Sequence, residues 1–367
     1  MVQIQKNTDY ILLSYFGILL VFGLIMLTSA SSPVGYERFG NAYFFIKNQL
    51  LHGVLPGLIL FLILAKIDYH ILKRYASWIF VGMIFLLVLV FIPGLGSNYD
   101  TNAHSWINIF GLSFQPAEFA KLGMIIFMAG LLSSMGRDIE NFKQGFLLSL
   151  GIGFIPIALV ILQPDVGTVS ILFSILFAML FLSGARWSHI LGLAGVGLSG
   201  LVVMVLIAPY RAARLMTFLH PELDPQGIGY HINQAFLAIG SGGFFGRGLG
   251  HSLQKYQYLP EVHSDSIFAI IAEEMGLLFA VAVVVLLILI IFRGLKLAKN
   301  APDQFGRLLV GGIIIWFAVQ SFLNIGAIVG VLPMTGVPLP FISHGGTALM
   351  VAMGAVGILI NISKHAE

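Results

Sequence analysis

Three carboxylates, Asp265, Glu273 and Glu274, stand where a loop turns into an apolar helix, in the stretch YLPEVHSDSIFAIIAEEMG at residues 258–276. Asp265 lies at the junction beside His263, where a carboxylate could serve as a general base, a metal ligand or the helix N-cap. Glu273 and Glu274 lie about 12 Å deeper at 1.5 Å rise per residue. Acids at such depth are functional candidates, although hydrogen bonds to neighbouring helices would explain them equally well.

Four further polar or aromatic residues lie near the ends of other apolar segments. Glu118 and Lys121, in QPAEFAKLGM, are three residues apart and share one helix face, so they either pair with each other or line a polar cavity. Asp165, in LQPDVGT, is either a turn or cap residue or a site acid. Trp106, in HSWINIF, is either an interfacial anchor or a residue that stacks on a ligand.

A long loop at about residues 209–265 carries most of the cations that could meet an anionic substrate. Arg211, Arg214 and Lys255 lie in it, and loops of this length are usually functional. Its glycine run, residues 240–250, contains GxGxxG-like spacings, but no strand–helix–strand unit surrounds them, which excludes a dinucleotide fold. These glycines either let the backbone approach a ligand at membrane level or make tight turns. Residues 232–240 suit a helix in the membrane interface.

The last loop, NIGAIVGVLPMTGVPLPFISHGGTA, combines three prolines with the uncharged polar residues Asn324, Thr335 and Ser343. It is either a rigid structural cap or one wall of a site.

Composition places all of these residues in a polytopic membrane protein. Of 367 residues, 58% are hydrophobic and 10% charged, against about 25% charge in soluble domains. There is no cysteine, and the basic residues form no patch for nucleic acid. The expected fold is all-α, one domain over residues 1–367, without internal repeats. Ten apolar segments are predicted to span the membrane, the first retained as a helix: 11–30, 49–65, 77–96, 118–135, 146–162, 167–183, 188–208, 266–292, 308–332 and 347–363.

The distribution of positive charge predicts the orientation, because cytoplasmic segments are enriched in Lys and Arg. With both termini in the cytoplasm, the 209–265 loop lies outside, between the seventh and eighth helices. The cytoplasmic segments then hold twice as many basic residues as the outer ones: Lys6, Lys66, Lys73, Arg74, Arg137, Lys143, Arg186, Arg293, Lys296, Lys299, Arg307 and Lys364. The candidate site residues all fall in the outer half. An outward-opening polar site at the edge of the lipid suits a lipid-linked substrate.

The ordered motifs resemble those of the SEDS family (shape, elongation, division and sporulation), the FtsW and RodA proteins. The matching blocks cover most of the chain: NQL near the second helix, Trp106 with QPAEFAKL, QPDVGT, residues 220–276, and 324–343 followed by two glycines. SLQKYQYLPE looks more like the FtsW branch than the RodA branch. Two positions depart from the family pattern: Ser105 replaces a basic residue before the tryptophan, and His344 replaces a tyrosine before the paired glycines.

The resemblance implies a ten-helix enzyme of the inner (cytoplasmic) membrane that polymerises lipid II into glycan strands outside the cell. Its expected partners are a class B penicillin-binding protein and other divisome or elongasome membrane proteins, and its expected surroundings are membrane lipid. The family's essential acid falls on Asp265. Because Ser105 is not basic, diphosphate binding is assigned to Arg211, Arg214, Lys255 or Lys121, with His263 and Ser343 nearby. No cofactor is certain, although Mg²⁺ or Mn²⁺ bound by Asp265 is an open alternative.

The predicted reaction is an inverting glycosyl transfer. A sugar hydroxyl attacks the anomeric carbon of a lipid-diphosphate donor while Asp265 accepts the proton. Two alternatives remain open on the sequence. A lipid II flippase predicts a polar path into the cytoplasmic half, and a non-catalytic scaffold for the penicillin-binding protein predicts that Asp265 is dispensable.

Overall fold

The computed structural model describes residues 8–97, 105–109, 112–207, 209–220, 224 and 227–366. Each of the ten predicted apolar segments overlaps a helix, although the helix in segment 77–96 ends at Leu89. The helices before the long loop are α1 Tyr10–Phe39, α2 Phe44–Gln49 and α3 Leu55–Lys66 joined by a π-helical turn, α4 His70–Arg74, α5 Ala76–Leu89, α6 Pro116–Met135, α7 Leu148–Ile161, α8 Val166–Leu182 and α9 Trp187–Ile207. The remaining helices are α10 Pro209–Leu219, α11 Ile228–Gly242, α12 Ile267–Lys299, α13 Gln304–Ile328 and α14 Gly346–Ser363.

Within the described residues, seven helices are long and apolar enough to cross a membrane. They begin at Tyr10, Phe44, Pro116, Phe142, Ile267, Gln304 and Gly346. The predicted segments 77–96 and 167–183 form the shorter apolar helices α5 and α8. The chain is therefore a mostly helical, multi-pass membrane protein.

The all-α expectation is wrong in one place, because three short described segments, 96–97, 106–109 and 112–114, form a small antiparallel sheet. Strand β2, Trp106–Ile109, lies between β1, Gly96–Ser97, and β3, Leu112–Phe114. Ile107 pairs with Phe114, and its side chain is fully buried. The alternation of Trp106, Ile107, Asn108 and Ile109 is typical of a short strand, but it is too brief to stand out among long apolar segments.

Helix α14 is the most buried of the seven spans, and glycines allow it to pack closely against its neighbour. Helix α14 packs along α3, where a methyl group added at Gly357 would lie 2.6 Å from Phe61 O and one at Gly57 would lie 2.7 Å from the Met353 sulfur. Glycine at both positions lets the two backbones approach closely, as is usual between membrane helices. With α6 and α13, α14 forms the centre of the bundle.

The part of the long loop that follows α11 folds back against α12 instead of standing free. After α11, residues 243–248 bond to the α12 backbone, with Leu277 N donating to Gly243 O and Arg247 N donating to Glu273 O, both at 2.9 Å. These bonds fill a break in α12 at Gly276, which has φ 80 and ψ 178. Gly276 lies about 13 Å along the helix from its start, at 1.5 Å rise per residue. The glycine run therefore makes tight turns and a close backbone approach, and residues 232–240 are helical, within α11.

Candidate active site

The backbone around Asp265 is held by three consecutive carbonyl groups. Each accepts a hydrogen bond from α13 or from the segment before α14: His263 O from His344 N at 2.8 Å, Ser264 O from Ser343 Oγ at 2.5 Å, and Asp265 O from Asn324 Nδ2 at 2.8 Å. The N-cap interpretation of Asp265 is wrong, because Ser266 occupies that position. Ser343, a predicted substrate-binding residue, therefore uses its side-chain hydroxyl to hold the backbone of the Asp265 segment.

The carboxylate of Asp265 is free of hydrogen-bond donors on one side. Its Oδ1 is buried, and no donor in the described part of the chain reaches it. The pKa of Asp265 is raised to about 7, mainly by burial and less by the nearby Glu261 carboxylate, after a bond from its own backbone and the Arg214 charge have offset part of the shift. At neutral pH the carboxyl is therefore close to half ionised, the condition in which an acid can accept a proton and release it again.

A narrow cleft adjoins Asp265 between α13 and residues 334–337. Asn324 and Thr335 line it together with Asp265. At its edge, Arg214 Nη1 donates to Met334 O at 3.4 Å from an exposed position on α10. The side chain of Arg211, also on α10, lies outside the described residues. Arg214 is thus a predicted cation that the structure places beside the acid.

His263 and His344 form an aromatic group with Phe45. The His263 and Phe45 rings are 4.2 Å apart between centroids, and His344 is 5.2 Å from Phe45. Burial, with a smaller effect from Arg38, lowers the pKa of His263 to about 4, and burial with a smaller effect from His263 lowers that of His344 to about 3. Both rings are therefore neutral at pH 7 and offer polar aromatic surface rather than positive charge.

Lys255 lies in a buried network and not in the cleft. Its Nζ donates to Glu274 Oε1 and to Gly250 O, both at 2.7 Å, and Ser29 Oγ of α1 donates to Glu274 Oε2 at 2.7 Å. Glu273 is equally buried and accepts bonds from Ser252 Oγ at 2.5 Å and Leu253 N at 2.9 Å. The two acids on α12 therefore fasten the 247–255 segment to the membrane helices. This placement does not favour contact between Lys255 and a diphosphate.

Glu118 and Lys121 form the self-paired arrangement, at 2.8 Å and almost completely buried. Lys121 also donates to Gln320 Oε1 at 2.9 Å and lies over the Trp316 ring. Glu118 in addition lines a small cavity of about 10 Å³ bounded by α13, α14 and residues 338–343. The self-paired alternative therefore describes this pair, with the charges neutralised inside the bundle, because Lys121 does not line the cavity and most of the residues that line it are apolar.

Asp165 and Trp106 complete the predicted set. Asp165 caps α8, accepting from Thr168 N at 2.9 Å and from Thr168 Oγ1 at 2.8 Å. This is the turn or cap role. Trp106 begins β2 and is half-buried. Neither residue lines the Asp265 cleft.

The described residues contain no group of three or more histidines, cysteines or acids that could hold a metal ion. Among the described residues that line the cleft, Asp265 is the only carboxylate, and Asn324 and Thr335 add neutral oxygens. Mg²⁺ is commonly bound by one or two carboxylates together with substrate phosphates and water. Such a donor set fits only a cation that a phosphorylated substrate helps to hold.

These features define a multi-pass helical membrane protein with a fixed carboxylate beside a polar cleft at one end of the bundle. The chain belongs to the FtsW, RodA and SpoVE family, whose model, described as a cell cycle protein, matches residues 10–367. This finding agrees with the resemblance in the motifs.

Relatives and solved structures support the same assignment. "Stage V sporulation protein E" of Bacillus subtilis is 40% identical over 363 residues, covering 99% of both chains. "Probable peptidoglycan glycosyltransferase FtsW" of a Geobacter species is 38% identical, covering 98% of both. A chain from a structure described as coordinating polymerization and crosslinking in a peptidoglycan synthase complex superposes with a TM-score of 0.77 at 25% identity, covering 97% of this chain and 98% of that one. The rod shape determining protein RodA of Thermus thermophilus gives 0.69 at 24% identity, with 97% of each chain covered, a likeness of fold.

Proposed function

We propose that this protein is a peptidoglycan glycosyltransferase that polymerises lipid II into glycan strands by inverting transfer. Relatives named peptidoglycan glycosyltransferase FtsW, similar over nearly the whole chain, support the activity. The observation that carries the site is the free carboxylate of Asp265 on an immobilised backbone. Ten membrane spans, both termini in the cytoplasm and a site that faces outward from the inner membrane belong to the same proposal.

In the proposed mechanism, Asp265 accepts the proton of the attacking sugar hydroxyl. A base whose pKa lies near the working pH is the most effective, and a positioned base contributes about 10²–10⁴-fold in rate. The pKa of about 7 makes Asp265 a stronger base than an ordinary aspartate. The three carbonyl bonds hold it in place, which reduces the cost of orienting the reacting groups.

Arg214, with Arg211 on the same helix, is the proposed contact for the donor's diphosphate. A guanidinium suits this task because it offers several donors in one plane to phosphate oxygens. Lys121 and Lys255 are tied to Glu118 and Glu274, so their charges are already neutralised. Mg²⁺ or Mn²⁺, held by Asp265 together with the diphosphate, would stabilise the charge of the leaving group.

The partner is proposed to be a class B penicillin-binding protein, with other divisome or elongasome proteins around it. A similar chain occurs in a structure described as a peptidoglycan synthase complex for polymerization and crosslinking, which supports this pairing. A flippase is less well supported. A flippase needs a polar path beyond the Glu118–Lys121 pair, but the buried residues of α6 from Leu122 to Leu132 are all apolar or glycine.

The test is polymerisation of purified lipid II by the full chain with its penicillin-binding protein. We expect Asp265→Asn to lower the rate by at least about 100-fold, because the amide cannot accept the proton. Asp165→Asn is the matched control, since asparagine also caps helices well and this variant should retain activity. An Asp265→Asn variant that polymerises at the wild-type rate would favour the scaffold alternative.

A further inference from the structure

The side chain of Asn324 joins the two chain segments that form the Asp265 cleft. Its Nδ2 donates to Asp265 O and to Val337 O, each at 2.8 Å. Both contacts are carbonyl oxygens, so they require the NH₂ end of the amide and fix its orientation. The carbonyl end of Asn324 must then point away from them, and this Oδ1 is buried without a donor.

Two more acceptors in the same cleft are equally unsatisfied. Asp265 Oδ1 and Thr335 Oγ1 are buried, and neither has a hydrogen-bond partner in the described part of the chain. All three residues line one cleft. Buried polar atoms without partners are rare in native structures and destabilising, so three together indicate a place that a ligand completes.

We propose that Asp265 Oδ1, Asn324 Oδ1 and Thr335 Oγ1 form a subsite that binds hydroxyl groups of the acceptor sugar. This inference rests on the proposed glycosyltransferase function. The atoms are acceptors or, for Thr335, a hydroxyl, so they match groups that donate hydrogen bonds. A metal ion is the poorer match, because two of the three oxygens are neutral and Ca²⁺ or Mg²⁺ needs six or more ligands.

The cleft must widen for a sugar to enter, because in this state it has no room for a water-sized group. The wall that would have to move is the segment 334–337, which contains Gly336 at φ 69 and is held by the bond from Asn324 to Val337 O. A methyl group added at Gly336 would lie 3.9 Å from Asp265 Oδ2, so this segment directly covers the carboxylate. Outward movement of the segment exposes the three acceptors together with the proposed base.

The experiment measures KM and kcat for lipid II polymerisation by the full chain with its penicillin-binding protein. Thr335→Val removes the hydroxyl and keeps the shape of the side chain, whereas Thr335→Ser keeps the hydroxyl. Thr28→Val is the matched control, because the Thr28 hydroxyl bonds only to Leu24 O within α1 among the described contacts. We expect Thr335→Val to raise KM by about 3- to 10-fold, the effect of one neutral hydrogen bond, with kcat almost unchanged. Thr335→Ser and Thr28→Val should match the wild type.

Three results would overturn the subsite. The KM of Thr335→Val could stay at the wild-type value, kcat alone could fall, or Thr335→Ser could be as impaired as Thr335→Val. If Thr335→Val does not purify in folded form, Thr335→Ala replaces it under the same criteria. The wild type is the separate control for the function itself, because its failure to polymerise lipid II would refute the glycosyltransferase and not the geometry of the subsite.

Discussion

Replacing Lys255 with methionine tests the buried network that fastens the long loop to α12. The substitution removes an ammonium that donates to Glu274 Oε1 and Gly250 O, both at 2.7 Å, from a site in which lysine and glutamate are almost fully buried. Glu274 keeps its bonds from Ser29 Oγ but loses its counter-charge. Removing one partner of a buried ion pair costs about 3–5 kcal/mol. Methionine retains most of the apolar stem, so the loss reports the charge rather than the packing.

The measurement is the free energy of unfolding in mixed micelles, with unfolding monitored by far-UV circular dichroism. It is made for a double-mutant cycle of Lys255→Met and Glu274→Gln. Glu274→Gln alone leaves Lys255 with Gly250 O and a neutral amide. The double variant Lys255→Met/Glu274→Gln should lose about 0.5–3 kcal/mol less than the sum of the single variants, because it leaves no unpaired charge. Arg186→Met is the control, since its exposed pair with Glu140 at 3.8 Å should contribute only about 0–1 kcal/mol. Additive single effects, or a Lys255→Met cost no larger than the control, would refute this account.

Two further predictions concern Asp265 and Gly276. The polymerisation rate should rise as the pH increases through about 7, because the pKa of Asp265 is raised and only the carboxylate can act as a base. A rate that does not change between about pH 6 and 8 would contradict this. Gly276→Ala should lower the free energy of unfolding by about 1–3 kcal/mol. The backbone at this position has φ 80 and ψ 178, a conformation that glycine adopts easily and alanine adopts only with strain. Gly82→Ala in α5, where an added methyl group meets open space, should be neutral or slightly stabilising, and equal effects at both positions would refute the strain.

Hydropathy alone predicts the helical segments, because bilayer thickness sets the length of an apolar span. Hydropathy does not predict the structure of segments that are short or polar. Strands β1 to β3 have only a short alternating pattern. The loop that returns to α12 is held by backbone hydrogen bonds, which do not depend on the identity of the side chains and so cannot be read from the sequence.

The site was partly predictable for a similar reason. Asp265 is a charged residue at the edge of an apolar segment, and this position alone marks it as a candidate functional residue. The partner of Lys255 is Glu274, but nothing in the intervening loop specifies which acid the lysine meets. Asn324 is an uncharged residue within an apolar helix, and its two carbonyl contacts come from segments on either side of it in the sequence. Such links depend on tertiary packing, which a single sequence does not display.

The two buried acids of α12, Glu273 and Glu274, have a consequence for biogenesis. When α12 first enters the bilayer, Glu273 and Glu274 have neither the Lys255 ammonium nor the backbone donors of residues 252–254, and unpaired acids within a bilayer are costly. The upstream segment 243–255 must therefore remain close to the emerging helix and settle with it as one unit. Membrane insertion of this region is expected to be a concerted event involving both segments, so the long loop acts as an internal assembly factor for the helix that follows it.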